Sequence, residues 1–194
     1  MPHAFESPPA RHAPAAAAAS AEASAAREQC RLWYEAHGEA VYNYVRFQVA
    51  EPDAAEDIVA DTFLRALQAA GRFDESRGAA RSWLLAIARN LVHDYQRRVR
   101  VRRYIPLGTM GDLVEDAPSP EERLLRKEQV GRVLDALARL GDADREIVSL
   151  RYGSGLDGCE VAEMLGISEA NVRTRLWRAL KRLKAALGEL DARP

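Results

Sequence analysis

The chain has 194 residues, of which 47% are hydrophobic, and its 28 Lys and Arg against 29 Asp and Glu give a formal net charge of −1. This length allows one or two small domains with modest cores, and no apolar run is suited to a membrane span or a secretory signal. Two cysteines outside any CxxC or Cys/His cluster, and four scattered histidines, argue against a disulfide framework or a metal site. We therefore expect a cytoplasmic protein that needs no metal or other cofactor.

The N-terminal residues 1–26 are mostly Ala, Pro and Ser, with almost no large apolar side chains. Such a segment buries too little surface to offset the entropy of ordering, so a disordered tail is predicted there. From residue 27 onward apolar residues recur at helical spacing, and no segment alternates with a period of two over the length of a strand. The pattern predicts an all-α fold.

The first predicted domain spans residues 27–103. Its apolar residues over 32–49 indicate one helix, or a helix pair interrupted near Gly38. A second helix is predicted over 52–70, because it begins with a proline and carries acids in its first turns. A polar loop at 71–81 precedes a third helix, whose apolar stripe consists of Trp83, Leu84, Ile87, Leu91 and Tyr95.

The second predicted domain spans residues 120–190. Before it, residues 104–119 contain Pro and Gly without periodicity and are predicted to form a flexible linker. Helices are predicted in the second domain at about 120–139, 142–152, 158–165 and 169–188. The expected architecture is therefore two small helical domains joined by a flexible linker.

Charge is distributed unevenly along this nearly neutral chain. Residues 47–64 contain five acids and no Lys or Arg, whereas residues 89–103 contain six Arg and a single acid, Asp94. Residues 169–184 contain six Lys and Arg against Glu169. The chain is thus expected to present one acidic surface and two basic ones.

Residues 158–184 have the pattern of a helix-turn-helix. A short helix with Ala162 at the expected helix crossing ends at Gly166, which can take the left-handed conformation that terminates a helix. Ser168 can then cap the second helix, whose apolar positions continue at helical spacing. Several local features agree, so the C-terminal domain is predicted to contain this DNA-binding motif.

The second helix of the motif is expected to place its polar and cationic side chains opposite the core. Arg can donate two hydrogen bonds to guanine, Asn and Thr can read base edges, and the remaining cations can hold phosphates. The alternative is a solvated basic helix on a helical bundle. The candidate DNA-binding residues are Asn171, Arg173, Thr174, Arg175, Arg178 and Lys181.

These motifs resemble a known family. The stretch DADREIVSLRYGSGLDGCEVAEMLGISEANVRTRLWRALKRLK resembles region 4 of extracytoplasmic function (ECF, group IV) sigma factors of the sigma-70 family. HGEAVYNYVRF, DAAEDIVADTFLRAL and RFDESRGAARSWLLAIARNLVHDYQRR are similar to region 2, and the chain lacks a middle domain, as this subfamily does. The resemblance implies an alternative sigma factor that binds core RNA polymerase, recognises minus-thirty-five and minus-ten promoter elements and helps open the DNA.

The resemblance also implies roles for the charged surfaces. The acidic helix is expected to bind the clamp helices of the largest polymerase subunit through Asp57 and Asp61, and the second-largest subunit's flap is a further expected contact. The alternative for these acids is a solvated face. An anti-sigma factor, often membrane-bound in the family, is an expected partner, whereas this chain is not expected to insert into a membrane.

The loop and helix at 74–98 are expected to open and read the minus-ten element. Asn90 matches the family position that contacts a flipped base, although an exposed Asn can equally be only solvated. The basic run after it suits phosphate contacts, because cations need no fine geometry to bind a polyanion. Its members are Arg97, Arg98, Arg100 and Arg102. Trp83 fits the core better than a stacking platform.

Other motifs and protein classes fit less well. GSGLDG at 153–158 satisfies G-x-G-x-x-G without a preceding strand and is interpreted as a turn, and no motif indicates an enzyme. Cys159 is predicted to be a small buried packing residue, with a redox switch as the alternative. A two-component output regulator would need a receiver or ligand-binding domain, and residues 27–103 show no βα alternation. A sequestering or adaptor protein would not need the basic second helix of the motif.

Overall fold

The structure is a computed structural model that describes residues 13–102 and 120–191. Its helices are α1 (Ala13–Gln48), α2 (Pro52–Ala69), α3 (Ala80–Arg102), α4 (Pro120–Ala138), α5 (Asp142–Val148), α6 (Gly158–Leu165) and α7 (Glu169–Asp191). Short 3-10 turns at Ala70–Arg72 and Glu75–Arg77 separate α2 from α3, and a π-helix at Ser149–Gly153 continues α5. The described ranges contain no strand and no helix long and apolar enough to cross a bilayer. The predicted all-α class is confirmed, and the predicted linker at 104–119 lies outside the described residues.

The first helix, α1, starts earlier and runs further than the sequence indicated. It passes through Gly38 as a single helix, so there is no interrupted pair. It begins at Ala13, and the predicted disorder of residues 1–26 is therefore wrong for 13–26, while 1–12 lie outside the described residues. Alanine has the highest helix propensity, and Pro14 is tolerated in the first turn, where its missing N–H has no intrahelical partner.

The apolar residues of α1 do not all face the core, although Val41 and Val45 are buried there. Leu32 is 46% exposed, whereas its neighbour Trp33 is buried. The Trp33 ring packs edge-on against Phe73 and Trp83, with centroids 5.0 and 5.2 Å away. Such edge-to-face geometry is favourable for aromatic rings, and it fixes the loop before α3 against α1.

The second helix, α2, packs its apolar face against α1 and α3. Its bounds agree with the prediction, and Ile58 and Phe63 are among its buried side chains. Thr62 is also buried, and its hydroxyl donates a 2.7 Å hydrogen bond to the Ile58 carbonyl, so burial leaves no polar atom unsatisfied there. Because the inward face is apolar, the acids of α2 lie on the outer face.

The C-terminal domain contains the predicted helix-turn-helix, formed by α6 and α7. Gly166 ends α6 in the left-handed conformation with a φ of 64°, and Ser168 Oγ accepts a 3.3 Å hydrogen bond from the Asn171 N–H. At the other end of α6, Asp157 and Glu160 form a capping box, in which each side chain accepts from the other residue's backbone N–H at 2.8 Å. The motif is thus held at both ends of its first helix.

The two helical domains pack together in one continuous core that the sequence does not predict. Gly153, at the end of the π-helix, lies so close to α1 that an added Cβ would sit 3.2 Å from the Asn43 carbonyl oxygen. Nearby, Gln48 of α1 donates a 3.2 Å hydrogen bond to Ser149 Oγ in a buried position. A close backbone approach and a buried polar pair indicate a specific contact between the domains.

Candidate nucleic-acid and partner-binding surfaces

The second helix of the motif, α7, presents a basic outer face. Val172 and Ala179 are buried on its inner side. Five of the predicted DNA-binding residues are exposed, and Asn171 is half-buried at the margin of the face. The exposed five are Arg173, Thr174, Arg175, Arg178 and Lys181. The helix therefore exposes hydrogen-bond donors for base edges and cations for phosphates, and DNA binding in a groove needs both.

The three arginines of this face, Arg173, Arg175 and Arg178, form no ion pair within the described part of the chain. Arg182, further along α7, instead pairs with Asp144 of α5 and so contributes to packing within the domain. Thr174 Oγ1 donates to the Ala170 carbonyl at 2.9 Å, which leaves its oxygen free to accept a further hydrogen bond. The cations on the outer face are thus available to an external partner.

Trp177 is a candidate binding residue that the sequence analysis missed. Its side chain is 64% exposed, and Lys181 Nζ lies 5.6 Å from the centre of its ring. It follows Thr174 by three residues and precedes Lys181 by four, which places the three side chains on one face. That spacing was visible in the sequence, but a large apolar residue was not considered for a polar face. An exposed Trp held by a cation is suited to contact the methyl group of thymine or a sugar.

A cavity of about 620 Å³ lies beside the N-terminal half of α3. Phe73, Trp83, Arg89 and Asn90 line it from the N-terminal domain, and residues of α6 close its other side. Asn90 is exposed, and Trp83 is half-buried in the aromatic cluster described above. Trp83 therefore packs as the sequence analysis expected and also forms part of the cavity wall.

The C-terminal half of α3 carries the other basic surface. Arg97 and Arg98 are exposed, and both bind Asp94: Arg97 at the carboxylate, 2.8 Å away, and Arg98 at the carbonyl oxygen, 3.3 Å away. Arg100 instead pairs with Asp142 of α5, in the other domain. The side chain of the predicted Arg102 lies outside the described residues. Exposed ion pairs of this kind contribute at most about 1 kcal/mol, so phosphates can replace the local partner of Arg97.

The acidic surface lies on the outer face of α2. Asp57 and Asp61 are exposed one turn apart, and neither forms an ion pair within the ranges that the structure describes. Leu64, a further turn along, is 52% exposed and extends the face with an apolar side chain that the sequence analysis did not single out. Two open carboxylates beside an exposed Leu suit a protein partner with a basic and partly apolar surface.

A polar network at Glu146 joins α5 to α1 and α3. Arg89 Nε donates to Glu146 Oε1 at 2.7 Å, His93 Nε2 lies 3.0 Å from Glu146 Oε2, and the Tyr44 hydroxyl donates at 3.3 Å. The Glu146 side chain is only 13% exposed. Burial, with the Glu146 charge as a second cause, raises the pKa of Tyr44 well above its usual range, so this hydroxyl remains a donor.

A second cross-domain pair links Arg81 of α3 to Glu160 of α6. Arg81 Nη2 lies 2.9 and 2.8 Å from the two carboxylate oxygens. Both side chains are about one-third exposed or less. In the Glu146 network, the Arg81–Glu160 pair and the Arg100–Asp142 pair, a carboxylate of the C-terminal domain binds an arginine of α3.

Cys159 is exposed on α6, and its predicted burial is wrong. Because α6 has only eight residues and buries Val161 and Ala162, position 159 faces outward. A hydrogen bond to Glu169, followed by the charge of that carboxylate, raises the pKa of the Cys159 thiol and disfavours its reactive thiolate form. Cys30 is half-buried, and burial raises its pKa as well.

Family models match both domains. The model of sigma-70 region 2 matches residues 33–103, and that of sigma-70 region 4 matches residues 136–185. These matches lie within the predicted domains 27–103 and 120–190. The acidic face and the cavity fall in the first match, and the basic face of α7 falls in the second.

Two curated relatives cover most of the chain. It is 31% identical over 176 residues to the ECF RNA polymerase sigma factor SigL of Mycobacterium tuberculosis, an alignment that covers 88% of this chain and 96% of SigL. It is 36% identical over 160 residues to the ECF RNA polymerase sigma factor BldN of Streptomyces coelicolor, which covers 82% of this chain. The chain spans 60% of the length of BldN.

Two solved structures are similar to this chain in their fold. CnrH, in complex with the cytosolic domain of CnrY, matches with a TM-score of 0.63 and 26% identity, covering 88% of this chain and 95% of CnrH. RpoE of Bartonella quintana, in complex with the anti-sigma factor NepR, matches with a TM-score of 0.65 and 21% identity, covering 81% of this chain and 96% of RpoE. The second likeness concerns the fold alone.

Proposed function

The chain belongs to the ECF family of RNA polymerase sigma factors, and from that premise we propose that its three exposed charged surfaces divide the work of promoter recognition. The observation that carries the proposal is the presence, in one chain, of an open acidic face on α2 and an unpaired basic face on α7. Proteins of this family are transcription initiation factors and not enzymes. The short interval between the region 2 and region 4 matches, 104–135, favours group IV.

The outer face of α7 reads the minus-thirty-five element in the major groove. Arg173 and Arg178 donate to base edges, Thr174 and Asn171 supply shorter-range hydrogen bonds, and the remaining cations hold phosphates. Trp177 adds an apolar contact at the centre of the face. The support for these roles is that the side chains other than the half-buried Asn171 are exposed, and that the three arginines have no ion-pair partner in the described ranges.

The wall of the cavity that α3 and its preceding loop provide takes a base of the minus-ten element. Asn90 offers both a donor and an acceptor to the edge of a flipped base, and Phe73 and Trp83 supply aromatic surface. Arg97, Arg98 and Arg100 track the backbone of the adjacent strand. The support is that Asn90 is exposed at the cavity while the basic end of the same helix lies two turns away.

The acidic face of α2 binds the clamp helices of the polymerase's largest subunit through Asp57, Asp61 and Leu64, and the C-terminal domain contacts the flap of the second-largest subunit. Because its partners are polymerase and chromosomal DNA, the protein works in the cytoplasm. An anti-sigma factor controls it, as is supported by the complex of CnrH with the cytosolic domain of CnrY.

Reconstitution with core RNA polymerase tests this proposal. The full chain is incubated with core enzyme, co-purified on a tagged polymerase subunit, and assayed for transcription from a library of promoter fragments. We expect stable co-purification and initiation at a shared pair of upstream elements. Co-purification without transcription would indicate the adaptor alternative, and specific DNA binding without any polymerase association would indicate an independent regulator.

A further inference from the structure

Glu169 is the first residue of α7 and the only acid on that helix before Glu189. Its side chain is exposed. We propose that Glu169 is a specificity-determining residue, whose carboxylate accepts a hydrogen bond from the N4 amino group of a cytosine in the minus-thirty-five element. This inference rests on the proposed function, because it requires α7 to lie in the major groove of that element.

The Glu169 side chain lies at the end of α7 that enters the groove. In helix-turn-helix proteins the N-terminal residues of the second helix contact base edges. Side chains on an α-helix tilt toward its N-terminus, so Glu169 projects ahead of the backbone of α7. Ser168 caps the helix just before it, because its Oγ accepts a 3.3 Å hydrogen bond from the Asn171 N–H. The cap fixes the direction in which the helix, and with it Glu169, starts.

The Glu169 carboxylate keeps acceptor positions open for DNA. Arg173 follows it by four residues, a spacing that favours an ion pair along a helix, yet no such pair forms in the described part of the chain. The contact of the carboxylate is with the Cys159 thiol of α6, which donates a hydrogen bond to it. A carboxylate has two oxygens and about four acceptor positions, so one thiol leaves most of them available.

A carboxylate in this position discriminates between bases. It weakens binding to DNA in general, because the phosphates are negatively charged. In the major groove, guanine and thymine present no hydrogen-bond donor, and the amino group of adenine lies beside the N7 acceptor. Cytosine presents its N4 amino group as a donor, which the carboxylate can accept. Glu169 therefore disfavours most bases at the position that it faces, and cytosine alone compensates for the repulsion.

Arg173 supplies the complementary chemistry one turn along the helix. An arginine can donate two hydrogen bonds to O6 and N7 of guanine. Residues four apart on a helix have Cβ atoms about 5–6 Å apart, and successive base pairs are about 3.4 Å apart, so Glu169 and Arg173 reach the same or neighbouring base pairs. We therefore expect the preferred minus-thirty-five sequence to contain a cytosine paired with, or next to, a guanine where α7 begins.

The test compares holoenzymes that differ at one carboxylate. Core polymerase is combined with the full chain, either wild-type or carrying Glu169→Gln, Glu169→Ala or Glu189→Gln. Each holoenzyme binds a library of upstream elements in which the minus-ten element is held constant. Glu189→Gln is the matched control, because it removes the same charge from an exposed side chain of the same helix, about 30 Å further along.

We expect the wild-type holoenzyme to prefer cytosine at one position that depends on Glu169. A glutamine amide can both donate and accept, as N6 and N7 of adenine require, so Glu169→Gln should raise the ratio of adenine to cytosine binding there about tenfold. Glu169→Ala should reduce the preference for cytosine to less than about twofold and leave the more distant positions unchanged. Glu189→Gln should retain the wild-type sequence profile.

Two results would overturn the assignment of Glu169. A uniform gain in affinity for all sequences in both Glu169 variants would show that the carboxylate only repels phosphates. An unchanged sequence profile in both variants, whatever their melting temperatures, would make Glu169 an acid that stabilises only the start of the helix. Both results leave the proposed function intact. That function fails instead if wild-type holoenzyme shows no selectivity among the upstream elements.

Discussion

The basic surfaces of α3 and α7 carry similar numbers of cations, but these cations differ in whether they have partners within the chain. On α7 the arginines of the outer face have no ion-pair partner among the described residues, whereas on α3 Arg89 and Arg100 bind carboxylates of the other domain. The difference is one of packing, since both helices carry about the same density of cations. It teaches that a basic run identifies a polyanion-binding surface without revealing whether that surface is open.

The largest expected effect concerns the acidic face of α2, which should govern polymerase affinity and not DNA binding. Replacing Asp57 and Asp61 together by Lys should weaken association with core polymerase by 100-fold or more, about 3 kcal/mol, because two charges are reversed at a complementary interface. The residual DNA binding of the free chain should not fall. Polymerase affinity is measured by fluorescence titration, with Glu22→Lys on the exposed start of α1 as a control. Wild-type polymerase affinity in the double variant would show that the acidic face of α2 is only solvated and does not bind polymerase.

The next effect tests base reading on the open helix. Arg178→Ala, or Arg173→Ala, should cost about 1–3 kcal/mol at the preferred minus-thirty-five sequence and relax discrimination at one or two base pairs. Lys184, further along α7, should contribute only charge, so Lys184→Ala should weaken all sequences alike and slightly reduce the salt slope. Holoenzyme binding to a library of upstream elements, at two salt concentrations, separates these outcomes. A uniform loss for all three substitutions would reduce α7 to an electrostatic anchor.

A smaller effect is expected for the exposed aromatic residue on the same face. Trp177→Ala should weaken minus-thirty-five binding about fivefold, near 1 kcal/mol, because an apolar contact and its cation partner are lost. Trp177→Phe retains a ring and should recover most of the affinity. Stability should hardly change in either variant, since the side chain is 64% exposed. A large drop in melting temperature without a change in affinity would instead make Trp177 a packing residue.

The smallest effect compares α3 directly with α7. In the free chain, replacing Arg97 and Arg98 together by Ala should change binding to duplex DNA by less than about twofold, because that weak binding comes mainly from the open face of α7. In the holoenzyme the same double variant should weaken binding of an opened promoter several-fold, uniformly across sequences. The isolated wild-type chain should bind promoter duplex only weakly, since each domain has a small footprint. Tight and specific binding by the isolated chain would contradict both the comparison and the proposed function.

Local features of this fold were predictable from the sequence, because each depends on neighbours within a few residues. The left-handed Gly166, the cap at Ser168 and the outward positions of Arg178 and Lys181 all follow from helical periodicity and capping rules. The helix bounds of α2 and α6 follow in the same way. Such features require no knowledge of what packs against them.

Other features were missed for two physical reasons. At residues 13–26, a shortage of bulky side chains was interpreted as disorder, although alanine favours helix. At Cys159, burial was predicted from the residue type alone, although the side of the short helix on which it lies faces outward. The contacts between domains were beyond sequence reasoning, since Arg89 and Glu146 are 57 residues apart and meet only because the C-terminal domain packs against α1 and α3. The spacing of Trp177 places it on the DNA-binding face, but a large apolar residue was not considered for a polar surface.

Glu160 accepts hydrogen bonds from both domains. Its Oε2 accepts from Arg81 across the interface and also from the Asp157 N–H within its own capping box, each at 2.8 Å. When Arg81 departs, the carboxylate keeps its backbone partner, so α6 retains its start and α7 its supporting helix. The cap at the start of α6 therefore does not depend on the contact with α3. The geometry of the helix-turn-helix is set within its own domain, so the DNA-reading face of α7 is preorganised whatever partner α3 meets.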